Sequence, residues 1–187
     1  MIGGKARGVR LKQVDASITR PITDRVKEAL FNIIGSDIIN SSMLDMFAGT
    51  GSVGIEALSR GASYVMFLDV NSSAIDVINS NLSVTKLSDM GQVQQTDAFD
   101  YLDGSKREKF EYIYIAPPQY KGMWVMALKH IDNNLEWMSN DGWVIAQMDP
   151  SEFREYDFKN LSIFDKRQYG NTILAFYSMV DNWDSRS

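Results

Sequence analysis

Two short segments of the chain carry residues that could take part in chemistry on a nucleotide-like ligand. They are Asp45-Met-Phe-Ala-Gly-Thr-Gly-Ser-Val-Gly54 and Ile115-Ala-Pro-Pro-Gln-Tyr120. In the first, a predicted strand that contains Asp45 and ends at Phe47 leads into Gly49, Gly51 and Gly54, where the absence of a β-carbon lets backbone approach a ligand closely. Together the two segments favour a site in which a methyl donor faces an amino group.

Asp69 strengthens the interpretation of the glycine loop. It lies about twenty residues after the loop, at the end of the apolar run Tyr64-Val-Met-Phe-Leu68, where nucleotide-binding folds place an acid that accepts ribose hydroxyls. Asp45, at the start of the motif, suits the positive charges of a methyl donor better than it suits the negatively charged pyrophosphate of a dinucleotide. The alternative is that the glycines serve only turns and packing, and that the acids are caps or surface residues.

The second segment follows the predicted strand Phe110-Glu-Tyr-Ile-Tyr-Ile115. Pro117 and Pro118 have no N–H group, so nearby carbonyls stay available to an amine of a substrate. Ala116 can offer only its backbone carbonyl, whereas the amide oxygen of Gln119 could accept one amine hydrogen and Tyr120 could stack on a flipped-out base. A plain strand terminator is the alternative.

Strand and helix patterns alternate along the chain and predict a doubly wound α/β fold with a mostly parallel sheet. Thr23 is predicted to cap the first helix and Gly35 to end it, with Arg25, Lys27 and Glu28 facing outward. The ligand crevice is expected outside the carboxyl ends of the strands. The predicted strands span 43–47, 64–69, 92–96, 110–115, 142–148, 161–168 and 172–179. Further helices are predicted over 52–60, ended by Gly61, over a segment capped by Asn71 or Ser72, and near 122–136.

Composition limits the remaining classes. A chain of 187 residues with 44% apolar residues predicts one catalytic domain, expected over 35–180 after a basic arm and helix at 1–34 and before a disordered tail at 181–187. The chain has no cysteine and a single histidine, His130, so no metal site is expected and His130 is assigned no role. No apolar run is long enough to span a bilayer, and a cytoplasmic location is expected.

Charge is segregated along the chain. The net charge is −5, yet residues 1–30 carry seven basic and three acidic side chains, which leaves +4 there and −9 in the remainder. A basic arm on an acidic body is typical of a protein that touches nucleic acid with one surface, although a solvated tail would have the same composition. The glycines at 3, 4 and 8 suit a short hairpin or an adaptable arm.

Several stretches in order resemble the RsmD-type small-subunit (16S) ribosomal RNA guanine-N2 methyltransferases, which use S-adenosylmethionine. The resemblance covers nearly the whole chain. It is carried by Ile2-Gly-Gly-Lys-Ala-Arg-Gly8, Arg20-Pro-Ile-Thr-Asp-Arg-Val-Lys-Glu-Ala-Leu-Phe-Asn32, Asp45-Met-Phe-Ala-Gly-Thr-Gly51 and Gly54-Ile-Glu-Ala-Leu-Ser-Arg-Gly-Ala62. It implies a Rossmann-like sheet of seven strands with the last strand antiparallel, an N-terminal extension that holds ribosomal RNA, and a monomer.

The resemblance also implies roles for residues. The methionine portion of the methyl donor would lie on Asp45 and the loop, the ribose on Asp69 and the adenine on Asp97 and Ala98. The methyl-donor residues expected from the motif are Asp45, Phe47, Ala48, Gly49, Thr50, Gly51, Asp69, Asp97 and Ala98. RNA contacts are expected at Arg7, Arg10, Arg20, Thr23 and Arg25, and the catalytic turn would be Ala116, Pro117, Pro118, Gln119 and Tyr120.

The chain departs from the family pattern at the catalytic turn. The family usually has Asp or Asn before the two prolines and an aromatic residue directly after them, where this chain has Ala116 and Gln119, with Tyr120 one position later. Position 22 is Ile where the family tends to have Thr. A catalytically impaired homologue that acts as an RNA-binding or ribosome-assembly protein is therefore the alternative, and a nicotinamide-dependent oxidoreductase is a more distant one.

Overall fold

In the computed structural model, residues 1–14, 22–104, 108–119 and 121–180 are described. The strands form one seven-stranded sheet in the order β3-β2-β1-β4-β5-β7-β6. The strands are β1 Ser42–Asp45, β2 Tyr64–Asp69, β3 Gly91–Gln95, β4 Phe110–Ile115, β5 Met138–Met148, β6 Leu161–Tyr169 and β7 Thr172–Met179. The helices are α1 Asp24–Ile34, α2 Ser52–Arg60, α3 Ser72–Thr85, α4 Ala98–Asp103 and α5 Met123–Asn133, with short 3-10 helices at Gly35–Ile38, Ser88–Met90 and Leu135–Trp137.

The first of two compact units spans Met1–Ala98 and holds the first three strands. β1 pairs parallel with β2, and β2 pairs parallel with β3. Strand β2 has a fully buried run from Val65 to Leu68, as expected for a strand covered on both faces. The carboxyl ends of these parallel strands therefore lie at one edge, and the loops that follow them start there.

The second unit spans Phe99–Ser187. β4 pairs parallel with β5, whereas β7 pairs antiparallel with both β5 and β6. The two final strands are joined by a two-residue turn that contains Gly170 at φ 58°, a conformation glycine adopts without strain. The prediction of a mostly parallel sheet whose last strand is antiparallel is confirmed.

Local signals in the sequence placed most element ends correctly. The side chain of Thr23 accepts the Val26 N–H at the start of α1, and Gly35 ends that helix. Asn71 caps α3 in the same way, and Gly61 ends α2 with φ 114°. A helix cap was one interpretation of Asp97, and α4 begins directly after it at Ala98, although no span was predicted for this helix. Strand β5 begins four residues before the predicted start. The predicted domain boundaries at 34 and 180 stay predictions, and residues 181–187 lie outside the described residues.

One local prediction was wrong. Lys27 was expected on the outward face of α1, but it is only 4% exposed. Its ammonium lies 3.5 Å from the exposed carboxylate of Asp24. A lysine can cover apolar surface with its aliphatic stem while its ammonium pairs with a charge at the surface, which explains the low exposure. For the arm, the expectation was a short hairpin or an adaptable arm over residues 1–20. The described residues 1–14 contain turns and no strand, and the remainder of that segment lies outside the described residues, so this expectation stays a prediction.

Candidate functional site

Asp45 ends β1 with its carboxylate inside the protein. The residue is 1% exposed, and its Oδ2 accepts the Gly54 N–H at 3.3 Å. Its Oδ1 is buried without a hydrogen-bond partner among the described residues. Burial raises the pKa of Asp45 to about 7, the bond from Gly54 acts in the opposite direction, and the charge of Asp69 raises the pKa further. A buried acceptor of this kind is costly unless a ligand uses it.

The loop after β1 is held by backbone bonds to the end of β2. Ala48 N–H donates to the Leu68 carbonyl at 2.9 Å, and Gly49 N–H donates to Asp69 Oδ2 at 2.9 Å. Gly49 and Gly51 have φ values of 55° and 74°, which favour glycine. The structure therefore brings Asp45, the loop and Asp69 together within the first unit.

Asp69 orients the loop while keeping acceptor capacity. Its Oδ1 accepts the Asn71 N–H at 2.9 Å, so each carboxylate oxygen carries one backbone bond. A carboxylate has about four lone-pair sites, and the half-buried Asp69 can accept further hydrogen bonds from a diol. This arrangement fits the predicted ribose contact.

Gly54 has a packing role. A β-carbon at this position would lie 2.3 Å from Phe67 Cε1 and 2.8 Å from Val65 Cγ1, so the glycine lets α2 lie directly on β2. Its N–H is the group that bonds to Asp45. The prediction that all three glycines open space for a ligand is therefore corrected for Gly54, which is the close helix–strand packing glycine of the motif.

The end of β3 adds the predicted adenine residues. Thr96 N–H donates to the Asp69 carbonyl at 3.1 Å, which ties the end of β3 to the end of β2. Asp97 follows and is half-buried, and Ala98 is 3% exposed at the start of α4. Phe47 is half-buried, and Thr50 is 8% exposed. All nine predicted methyl-donor residues thus lie in the first unit.

The predicted catalytic turn belongs to the second unit. It leaves β4 where Ile115 pairs with Ala146 of β5, and the Tyr114 hydroxyl bonds to Gln147 Oε1 at 2.5 Å one residue before that end. Ala116, Pro117 and Gln119 are half-buried, and Pro118 is exposed. Tyr120 lies outside the described residues. The catalytic assignment of this turn stays a prediction.

The basic arm is anchored by two polar side chains of α2. The fully buried Glu56 accepts Ile2 N–H at 2.9 Å and Gly3 N–H at 2.7 Å, and it pairs with Arg60 Nε at 2.8 Å. Ser59 accepts the Ala6 N–H through its hydroxyl. Neither residue was predicted from the sequence, although a polar residue on an otherwise buried helix indicates such a partner.

The predicted RNA contacts are exposed where the structure describes them. Arg7, Arg10, Thr23 and Arg25 are exposed, and Thr23 also caps α1. Arg20 lies outside the described residues. Exposure leaves these side chains available to phosphates, and their role stays a prediction.

His130 lies in the second unit, beside a cavity of about 400 Å³ that is lined by none of the predicted site residues. Its Nδ1 is 3.5 Å from Asp103 Oδ1, and its ring lies 5.2 Å from that of Phe99. Among the described residues, no group of three His, Cys, Asp or Glu side chains could hold a metal ion. Within the same residues, no helix has the length and apolar character needed to cross a membrane.

Comparisons with known proteins identify the family of the chain. The family model described as "Conserved hypothetical protein 95" matches residues 1–178. The chain is 37% identical to "Putative rRNA methyltransferase YlbH" of Bacillus subtilis over 179 residues, which cover 95% of this chain and 97% of the relative. It is 29% identical to "Ribosomal RNA small subunit methyltransferase D" of Escherichia coli over 147 residues, covering 79% and 73%.

Solved structures show the same fold. A structure described as "Putative methyltransferase yhhF from Escherichia coli" superposes with a TM-score of 0.84 at 26% identity and covers 96% of both chains. This agreement extends over nearly the whole length of both proteins.

Proposed function

Because the chain belongs to the family described as conserved hypothetical protein 95, we propose that it is an S-adenosylmethionine-dependent methyltransferase. The acceptor is the exocyclic N2 amine of a guanine in small-subunit (16S) ribosomal RNA. The observation that carries the proposal is the buried Oδ1 of Asp45, which no described residue bonds, beside a glycine loop that Asp69 holds in place. The RNA substrate follows from the names of the relatives, and guanine N2 follows from the RsmD-type resemblance.

The chemistry of this residue set fits the methyl donor. S-adenosylmethionine supplies an electrophilic methyl group on a sulfonium and also carries an ammonium and a ribose diol. Asp45 offers a negative charge to the cationic portion, and Asp69 offers acceptors to the diol. Gly49 and Gly51 let backbone approach the ligand, and Asp97 with Ala98 would hold the adenine.

The turn after β4 would hold the acceptor amine. The guanine amine is a weak nucleophile because its lone pair is delocalised into the ring, so positioning is the main contribution of the protein. The carbonyl of Ala116 and the amide oxygen of Gln119 would accept the amine hydrogens, while Tyr120 would stack on the base. Pro117 and Pro118 keep this turn free of competing N–H groups.

The basic arm would hold the RNA through phosphates, with Arg7, Arg10, Arg20, Thr23 and Arg25 as contacts. The RsmD-type resemblance carries the proposal that the protein acts as a monomer, and a ribosomal RNA substrate supports the proposal that it acts in the cytoplasm.

One observation favours a second function. Ala116 has no side-chain acceptor where the family pattern has Asp or Asn. A protein that binds the methyl donor and RNA without transfer, and that acts in ribosome assembly, would retain every other part of the site.

A transfer assay separates the two functions. The protein is incubated with methyl-labelled S-adenosylmethionine and with naked 16S RNA, partly assembled small ribosomal particles, or large-subunit RNA as a negative control. The methyltransferase labels one or both small-subunit substrates and leaves the large-subunit RNA unlabelled. Binding of the methyl donor without label in any RNA would favour the assembly protein.

Calorimetry with the methyl donor tests the site itself. Asp69→Ala removes the proposed ribose acceptor and a bond to the loop, and hydrogen bonds to charged groups contribute about 1.5–3 kcal/mol each. Asp76→Ala, an exposed acid on α3, is the matched control. Equal affinity in the wild type and Asp69→Ala would refute the assignment.

A further inference from the structure

Asn81 is a fully buried amide in the middle of α3. Its Oδ1 accepts the Lys12 N–H at 2.8 Å, and its Nδ2 donates to the Lys12 carbonyl at 3.1 Å and to the Thr50 carbonyl at 3.0 Å. Burying an amide is costly unless such bonds are made. All three bonds go to backbone outside α3, so the amide joins two other segments of the first unit.

One of these segments is the glycine loop. Thr50 lies between Gly49 and Gly51, whose N–H groups bond to Asp69 and Ala48. A β-carbon at Gly51 would lie 3.2 Å from Ile78, one turn before Asn81. Helix α3 therefore supports the loop through packing at Ile78 and through the hydrogen bond from Asn81.

The other segment is the basic arm. The N–H and the carbonyl of Lys12 both bond to the side chain of Asn81, which pairs with the Lys12 backbone as a neighbouring strand would. Val14, two positions later, is 7% exposed, whereas Arg10, two positions earlier, is exposed. The arm is thus anchored at Lys12 beside a side chain that is free to contact RNA.

We infer that Asn81 is a positioning residue that couples RNA binding at the arm to methyl-donor binding at the Gly49–Gly51 loop. The inference rests on the proposed function, which supplies both ligands. Asn81 makes all three bonds only when arm and loop are both in place. A ligand that orders one segment therefore lowers the entropic cost of ordering the other. Coupling of binding free energies is reciprocal, so each ligand tightens the binding of the other.

Calorimetry of S-adenosylhomocysteine with and without saturating 16S RNA transcript tests the coupling without methyl transfer. Each ligand is first titrated alone, which tests the proposed function separately. In the wild type, RNA is expected to lower the Kd of S-adenosylhomocysteine by about fivefold or more, within the usual range of allosteric coupling. In Asn81→Leu both ligands still bind, and the ratio of the two Kd values falls to about one.

Matched variants separate coupling from stability. Thr85→Val removes a buried hydroxyl one turn later on α3, which bonds only within that helix, so it should lower stability and keep the Kd ratio. Lys12→Pro removes the N–H that Asn81 accepts, and Lys12→Gln removes the charge alone. Lys12→Pro should lose the coupling and Lys12→Gln should keep it, which decides the matter if Asn81→Leu does not fold.

Three results would overturn the inference. They are a wild-type Kd that RNA does not change, coupling that survives in both Asn81→Leu and Lys12→Pro, and an equal loss of coupling in Thr85→Val. Failure of S-adenosylhomocysteine to bind the wild type, or failure of both the 16S transcript and small ribosomal particles to bind it, would overturn the proposed function as well, so the two failures are distinguishable.

Discussion

At the scale of single residues, Asp45 shows how a residue proposed to bind a ligand can oppose stability. Its carboxylate is 1% exposed, and one oxygen has no hydrogen-bond partner in the described part of the chain, so the ionised form is disfavoured. A cationic ligand would reverse that preference by pairing with the charge. The residue is therefore expected to lower the stability of the free protein and to contribute to methyl-donor binding.

Asp45→Asn should change how stability depends on pH. The pKa of Asp45 is raised from 3.8 to about 7 in the folded protein. Protonated Asp45 therefore favours the folded state fully below about pH 4, and this contribution to the free energy of unfolding is lost as pH rises through 7. The variant, which cannot ionise, should gain stability relative to the wild type across this window. Urea unfolding of both proteins at a series of pH values measures the difference, and parallel curves would contradict the role of burial.

Binding of the methyl donor should show the opposite dependence. Since the cationic portion of the ligand favours ionised Asp45, affinity should rise with pH up to about 7, by as much as about tenfold per pH unit. Calorimetry in buffers of different ionisation enthalpy should detect proton release in the wild type and less in Asp45→Asn. Identical proton release in the two proteins would place the titrating group elsewhere.

Gln119→Ala should lower the rate of methyl transfer with methyl-donor affinity intact. Loss of one transition-state acceptor typically costs about 2.7–4 kcal/mol. Single-turnover rates with saturating methyl donor and RNA measure it, with the exposed Gln94→Ala of β3 as control. Equal rates in the wild type and Gln119→Ala would refute the proposal that Gln119 supplies the acceptor that the side chain of Ala116 lacks.

Ala116→Asn restores the acceptor of the family pattern and is the complementary variant. It should be neutral or harmful if Gln119 already fills that role, and it should rescue the rate in the Gln119→Ala background. A large gain in the otherwise wild-type protein would instead identify the native turn as impaired.

At the scale of elements, close packing of α2 on β2 depends on Gly54. Gly54→Ala should destabilise the fold by about 1–3 kcal/mol, because its β-carbon would overlap the Phe67 ring in a packed core. Urea denaturation measures the loss, and Ser83→Ala at an exposed position of α3 is the control. Unchanged stability would contradict the packing role.

The elements themselves were largely predictable from the sequence. Caps such as Thr23 and Asn71 and the end residue Gly61 act locally, so their positions could be predicted from neighbouring residues. Strand β4, with its apolar run, was predicted with its observed bounds.

Residues whose role depends on distant partners could not be predicted in the same way. Lys27 has the composition of an exposed helix residue, and its burial depends on what packs on α1. Glu56 and Asn81 bond to backbone 53 and 69 positions away, at Gly3 and Lys12, and no local pattern identifies such partners. The Asp45-to-Gly54 motif located the candidate site, whereas the support behind it required the structure.

At the scale of the whole molecule, an arm of charge +4 on a body of charge −9 should dominate the response to salt. Each phosphate contact on a single strand releases about 0.7 counterions, so neutralising three arginines should lower the log-log slope of affinity against salt by roughly two. The variant changes Arg7, Arg10 and Arg20 to Gln, and filter binding of 16S RNA over a series of salt concentrations measures the slope.

The control for this prediction has the same change in charge. It replaces three exposed basic residues of the second unit, Arg154, Lys159 and Lys166, with Gln. Its salt slope should stay close to that of the wild type. A fall of equal size in both variants would show that the overall charge of the protein, and not the position of the basic residues in the arm, sets the salt dependence of RNA binding.

The most direct test of the account is the identity of the methylated nucleoside. Small-subunit RNA is incubated with the wild-type protein and S-adenosylmethionine, digested to nucleosides and separated by chromatography coupled to mass spectrometry. We expect N2-methylguanosine in the wild-type reaction and much less with Asp69→Ala at a methyl-donor concentration near the wild-type Kd. A methyl group on another base or another guanine atom, or no methylated nucleoside with either small-subunit RNA or particle, would contradict the account.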